Sequence, residues 1–199
     1  MINPTQKGPP SGPRSAHEAV NLWSAHESGH VIIGTIAGYK LENVRLEFNP
    51  TNGGLVGLST SFGREEKKLA PARMFVLTSM GGIGAELFAF NGEIPDWSRD
   101  GWDDDINFVR VFQLTRAELE AMFTFAETIV AEHQALLSVL RKHIYDCVML
   151  RQQIVLSPAD LQKFLEHHPI TPISEERFQS ILPKLEKPLK SYAAEPDKI

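Results

Sequence analysis

A mostly apolar stretch interrupted by two histidines and a glutamate constrains this chain more than any other feature. His26, Glu27 and His30 form an HExxH pattern within Ser24-Ala25-His26-Glu27-Ser28-Gly29-His30-Val31-Ile32-Ile33, flanked by Leu22, Trp23, Val31, Ile32, Ile33 and Ile36. An α-helix turns by about 100° per residue, so histidines four apart share a face and both imidazoles can reach one ion. The apolar flanks predict a helix packed in a core, where an imidazole pair and a carboxylate without partners are costly, and a shared metal removes that cost. Zinc acidifies a bound water to a pKa of about 7, and Glu27 is then placed to take its proton and pass it to a leaving amine. The pattern therefore predicts a zinc hydrolase, and a peptidase above all. It fixes only three residue types, and the chain carries its own control. Ser15-Ala16-His17-Glu18-Ala19 repeats the opening but meets Asn21 where the second histidine is needed, so His17 is read as a surface or capping residue.

The chain has 199 residues, 42% of them hydrophobic, enough for one well-packed domain, placed at residues 15–183. A flexible lead-in (1–14), rich in Pro, Gly and polar residues, and a charged tail (184–199) flank it. A net charge of -5 without a basic run argues against nucleic acid. Cys147, the single cysteine, excludes an internal disulfide and a Cys-rich zinc site, which suits a cytoplasmic protein. The N-terminus has no apolar core of a secretory signal. Met74 to Phe90 comes nearest to a membrane span, but Glu86 and the small residues Ser79, Gly81, Gly82 and Gly84 suit a helix pressed against other helices. Membrane insertion is not expected.

The expected fold is mainly α, of α+β class, with a small hairpin beside the HExxH helix. That first helix is read from about Ala16 to Ile36, ending near Gly38. Val44-Arg45-Leu46-Glu47-Phe48 alternates like a half-buried strand, Asn49 to Gly54 forms a turn, and Leu55 to Thr60 is a second strand. Pro71 opens a helix ending near Phe90, and a loop runs from Asn91 to Trp102. From Asp103 the pattern is helical nearly to Gln153, with Ile106, Val109, Phe112, Phe123, Ile129, Leu136, Leu140 and Ile144 in register. Ser157 caps a further short helix.

A catalytic zinc site needs a third protein ligand and an open position. Asp103, Asp104 and Asp105 stand together where a helix begins. Asp103 heads a polar stripe with Asn107 and Arg110 and is assigned to capping. Asp104 aligns with Phe108 and Val111, Asp105 with Val109 and Phe112, and spacing alone does not choose between them. Glu86 is the rival: on a face of small and apolar residues, its buried carboxylate needs a partner, as a metal ligand, an acceptor for one of the histidines, or half of an ion pair.

Several segments, in order, resemble the peptidase domain of the FtsH-type, membrane-anchored AAA+ zinc metalloproteases. Ala25 to Gly34 is similar to the family's zinc helix, Gly54-Leu55-Val56-Gly57 to its following strand, and Met80-Gly81-Gly82-Ile83-Gly84-Ala85-Glu86 to its small-residue helix. Gly101-Trp102-Asp103-Asp104-Asp105-Ile106 is similar to the segment Gly-x-x-Asn-Asp-Ile, whose second polar residue binds zinc, so the resemblance implies Asp105 as third ligand. It spans roughly Ala16 to Leu165. Asp104 replaces the usual asparagine and adds charge beside the ligand. No Gly-x-x-x-x-Gly-Lys-Ser/Thr loop is present, so ATP is not an expected ligand.

The resemblance implies a zinc peptidase without unfolding motor or membrane span, acting on unstructured peptides or on chains delivered by a separate partner, and allows a homo-oligomer. The strand carrying Gly54, Leu55, Val56 and Gly57 offers an edge to which an extended peptide can add. Trp97 and Trp102 are read as substrate contacts or as core cover. The alternative function is a degenerate peptidase fold retained as a binding or scaffolding module, against which an intact Glu27 argues; a metal hydrolase acting on a non-peptide substrate is a third possibility.

Overall fold

The computed structural model describes residues 15–48, 51, 53, 55–63, 72–92, 102, 105–106, 116–174 and 176–177. Among them are five helices and a three-stranded antiparallel sheet: α1 (Ala16–Ile36), β1 (Leu41–Phe48), β2 (Leu55–Phe62), α2 (Ala72–Ala89), α3 (Arg116–Glu132), α4 (Gln134–Met149), β3 (Ile154–Leu156) and α5 (Pro158–His167). No helix among the described residues is long and apolar enough to cross a membrane. The lead-in 1–14, the tail 184–199, the turn residues Asn49, Pro50, Asn52 and Gly54, and Asp103, Asp104, Trp97, Val109 and Phe112 lie outside the described residues.

Helix α1 is the axis of the fold. Ser15 caps its start by accepting from the Glu18 N–H at 3.1 Å. Buried residues occur on every side of it, from Ala19 and Val20 to Ile33 and Ile36, as in a helix enclosed by other elements. Its buried hydroxyls do not compete with the helix: Ser24 donates to the Val20 carbonyl at 2.7 Å and Ser28 to that of Ser24 at 2.6 Å. Gly38, at φ +84°, ends it, with the Gly38 N–H on the Thr35 carbonyl and the Tyr39 N–H on that of Gly34.

Small residues set how closely α2 approaches α1. A Cβ on Gly29 would lie 2.1 Å from the Gly81 carbonyl oxygen, and one on Gly81 would lie 2.8 Å from that of Gly29. The two helices run in opposite directions, since His30 meets Thr78 while His26 meets Glu86. On its other side α2 packs against α3, where Gly84 abuts the backbone at Ala126 and Glu127. Val76, Leu77, Met80 and Ile83 of α2, Met122, Ala126 and Ile129 of α3, Leu136, Leu140 and Ile144 of α4, and Val44 and Leu46 of β1 share one apolar core.

The strand order is β2-β1-β3. Leu58 pairs with Leu46 and Thr60 with Val44, so their side chains face α1, while the far side of β2 has no strand partner among the described residues. The first strand begins at Leu41, three residues before the alternation starts, because the pairing is irregular between Leu41 and Asn43 and hides the period. The stretch read as helical nearly to Gln153 ends a few residues earlier, and a strand not foreseen follows it. Helix α4 stops at Met149, Arg151 takes φ +54°, and Ile154–Leu156 becomes the third strand beside β1. Ser157 and Asp160 then form a reciprocal cap at the start of α5.

Candidate metal centre

The HExxH residues lie in the middle of α1, where the small residues of α2 make room for imidazole rings. A Cβ on Gly82 would fall 2.4 to 2.6 Å from Nε2, Cε1 and Cδ2 of His26, so the His26 ring occupies space that only a glycine leaves free. The two imidazoles stand edge to face, with centroids 4.7 Å apart and planes at 77°.

Each ring is oriented through its Nδ1. His30 Nδ1 lies 2.8 Å from the Thr78 carbonyl oxygen, which can only accept, so the proton sits on Nδ1. His26 Nδ1 donates to Glu86 Oε1 at 2.6 Å. Glu86 is 2% exposed and accepts a second hydrogen bond, at 2.8 Å, from the indole N–H of Trp102 to Oε2. Glu86 therefore lies on the Nδ1 side of His26, away from the point where the Nε2 atoms meet. Such a partner fixes the tautomer and leaves Nε2 with a lone pair.

The two Nε2 atoms are 3.0 Å apart, and Asp105 brings Oδ2 to 3.0 Å from His26 Nε2 and 3.4 Å from His30 Nε2. Oδ2 is buried and accepts no hydrogen bond. Three lone-pair atoms thus converge on one point, an arrangement that a cation or a proton would complete. This donor set of two neutral imidazoles and a carboxylate fits zinc, and among the described residues it is the one cluster of His, Cys, Asp and Glu with metal-ligand spacing.

Without metal, protons take that place. Burial alone would lower the His26 pKa, but the Asp105 and Glu86 carboxylates outweigh it and raise it well above the ordinary value. Burial likewise acts downward on His30 and is outweighed chiefly by Asp105. Burial would raise Asp105, yet the two histidines hold it well below the usual carboxylate range.

Glu27 lies next to the histidines, 6% exposed, and accepts from Thr60 Oγ1 through Oε2 at 2.6 Å. No sequence signal marked Thr60, an ordinary strand threonine. On the same strand Leu55 and Val56 are exposed, at 39% and 54%, and Gly57 is half-buried. Trp102, half-buried, is committed through its N–H to Glu86. The control motif behaves differently: His17 is exposed, with Nδ1 2.5 Å from the Tyr145 hydroxyl.

No protein-family model matches the chain, and neither a curated protein nor a solved structure matches it.

Proposed function

We propose that the chain is a zinc-dependent peptidase that hydrolyses peptide bonds in unstructured peptides or flexible protein segments, with an FtsH-like peptidase domain. The observation that carries the reading is the convergence of His26 Nε2, His30 Nε2 and Asp105 Oδ2 on one point, with both ring tautomers set for ligation and the Glu27 carboxylate alongside. His26, His30 and Asp105 would hold the ion. When bound, zinc supplies Lewis acidity toward the scissile carbonyl and makes a water acidic enough to attack near neutral pH.

The protein's own groups do the rest. Glu27 accepts the proton of the attacking water and returns it to the departing amine nitrogen, while Thr60 Oγ1 keeps the carboxylate in one orientation. A metal site that only bound its ion would have no use for a carboxylate so placed.

The substrate class follows from β2. Its outer edge has no strand partner among the described residues, and an extended peptide adding there gains backbone hydrogen bonds with little demand on its side chains. Exposed Leu55 and Val56 add apolar contact. Folded proteins cannot present such a strand, so the substrates are unstructured chains. The reaction consumes no nucleotide, and the lone, buried Cys147 suits the reducing cytoplasm.

Elemental analysis combined with digestion of an unfolded protein tests the proposal. Wild type should carry one zinc and cleave; Glu27→Gln should keep the zinc and lose turnover, whereas His30→Ala or Asp105→Ala should lose the ion. Stoichiometric zinc together with intact unfolded substrate under varied conditions would overturn the peptidase reading.

A further inference from the structure

Glu86 and Trp102 stand outside the ligand set, yet they join the segment bearing the third ligand to the helix bearing the first. Glu86 bridges two donors, with Oε1 on His26 Nδ1 at 2.6 Å and Oε2 on Trp102 Nε1 at 2.8 Å. Trp102 and Asp105 are three residues apart in the sequence, and both lie in helical backbone. The result is a closed cycle around one imidazole. Asp105 approaches His26 at Nε2, and Trp102 reaches the same ring through Glu86 at Nδ1.

We infer that Trp102 is a positioning residue for the metal centre: its indole N–H, held by Glu86, docks the Asp105 segment onto α2 and so sets the third ligand in place before any ion arrives. This rests on the metal-centre reading above and not on peptide hydrolysis. The physical reason is the kind of bond involved. Asp105 alone would be a conditional anchor, because its carboxylate faces two imidazole nitrogens and is held there only while a proton or a metal ion lies between them. The indole hydrogen bond is different, since its donor is neutral, its acceptor is 2% exposed, and neither group touches the ion. It therefore persists in the metal-free protein and spares metal binding the cost of ordering that segment. An indole placed only to cover the core would have no need to aim its single N–H at a carboxylate that is already bonded to a ligand.

The test is zinc affinity of the metal-free protein, measured by competition with a chromophoric chelator, for wild type, Trp102→Phe, Glu86→Gln and the double variant. Phenylalanine keeps an aromatic ring and removes the donor. Trp102→Phe should weaken zinc binding by roughly ten- to a hundredfold, Glu86→Gln by at least as much, and the double variant no more than Glu86→Gln alone. A second readout needs no tryptophan variant: in NMR spectra of metal-free wild type, one of the three indole N–H groups should exchange slowly with solvent, and Glu86→Gln should abolish that protection. Unchanged affinity in Trp102→Phe, losses that multiply in the double variant, or three fast-exchanging indoles would each overturn the inference. Wild type that binds no zinc would remove it together with the metal reading, whereas zinc affinities that follow this pattern in a protein unable to cleave unfolded chains would remove the peptidase reading alone.

Discussion

Thr60 Oγ1 donates a 2.6 Å hydrogen bond to Glu27 Oε2, tying the edge strand β2 to the carboxylate that stands beside the two histidines. The strand on which a peptide would dock and the group that would move the proton are thus one mechanical unit. Thr60 pairs with Val44 in the ladder, so its backbone is fixed by β1 and its hydroxyl has little freedom to point elsewhere.

Thr60→Val keeps the shape of the side chain and removes the donor. A hydrogen bond to a charged group contributes about 1.5–3 kcal/mol, and at about 1.36 kcal/mol per tenfold kcat should fall roughly ten- to a hundredfold. KM and zinc content should stay near wild type, and Thr60→Ser should restore most of the rate. Equal kcat in wild type and Thr60→Val under steady-state conditions would show that the contact is idle.

Gly82→Ala sets two effects of opposite sign against each other. Alanine in a helix interior gains about 1 kcal/mol over glycine, but here its methyl would fall 2.4 Å from His26 Nε2. The clash should win at the metal centre. Zinc affinity should drop at least about tenfold, while the helical circular dichroism of the metal-free protein stays intact. A variant that binds zinc as tightly as wild type would mean that the His26 ring can yield without cost.

The metal-free and zinc-loaded proteins should respond oppositely to pH. In the folded metal-free chain His26 and His30 titrate above the ordinary 6.5, so the stability they contribute is complete below 6.5 and is lost as pH rises through their raised values. Asp105 works the other way, contributing above 3.8 and losing that contribution as pH falls through its depressed value. Stability of the metal-free protein from these groups therefore peaks between 3.8 and 6.5. Zinc needs unprotonated imidazoles, so its stabilisation grows over the range where the metal-free protein weakens. At a free zinc concentration a thousand times the dissociation constant it adds about 4 kcal/mol. Melting curves with and without chelator, at about pH 5.5 and about pH 8, check the crossing; parallel shifts would contradict it.

Arg151 holds φ +54° where α4 ends, with its own N–H on the Val148 carbonyl at 2.9 Å and the Gln152 N–H on that of Cys147 at 3.0 Å. Glycine takes this conformation without the Cβ penalty of about 1–2 kcal/mol. Arg151→Gly should therefore raise the melting temperature by roughly 2–4 °C for a gain of about 1 kcal/mol, with no change in zinc content. A lower melting temperature would assign the arginine side chain a stabilising contact of its own.

The histidine pair was legible because a four-residue spacing brings two rings together on any helix, whatever surrounds it. Asp105 was not legible from periodicity, since it and Asp104 both aligned with apolar residues; only likeness of sequence separated them. Glu86 could be recognised as a buried carboxylate in need of a partner, but the choice between a ligand position and the Nδ1 side of His26 depends on where α2 crosses α1. The indole of Trp102 was read as substrate contact or core cover, and neither reading foresaw that its N–H donates to Glu86. Strand β3 escaped notice because Ile-Val-Leu closely follows a helical pattern, and the helix ends at an arginine with positive φ, without the glycine that commonly marks a helix end.

The mutual contact of Gly29 and Gly81 has a consequence for how the site can adapt. Helices whose backbones touch cannot slide or separate without opening a void or a clash, so α1 and α2 form a single stiff plate carrying His26, His30 and the carbonyl and carboxylate that steer them. Under the proposed metal reading, ions of different radius would be accommodated through Asp105, the one donor that belongs to neither helix, and selectivity among metals would rest on how far its carboxylate can shift.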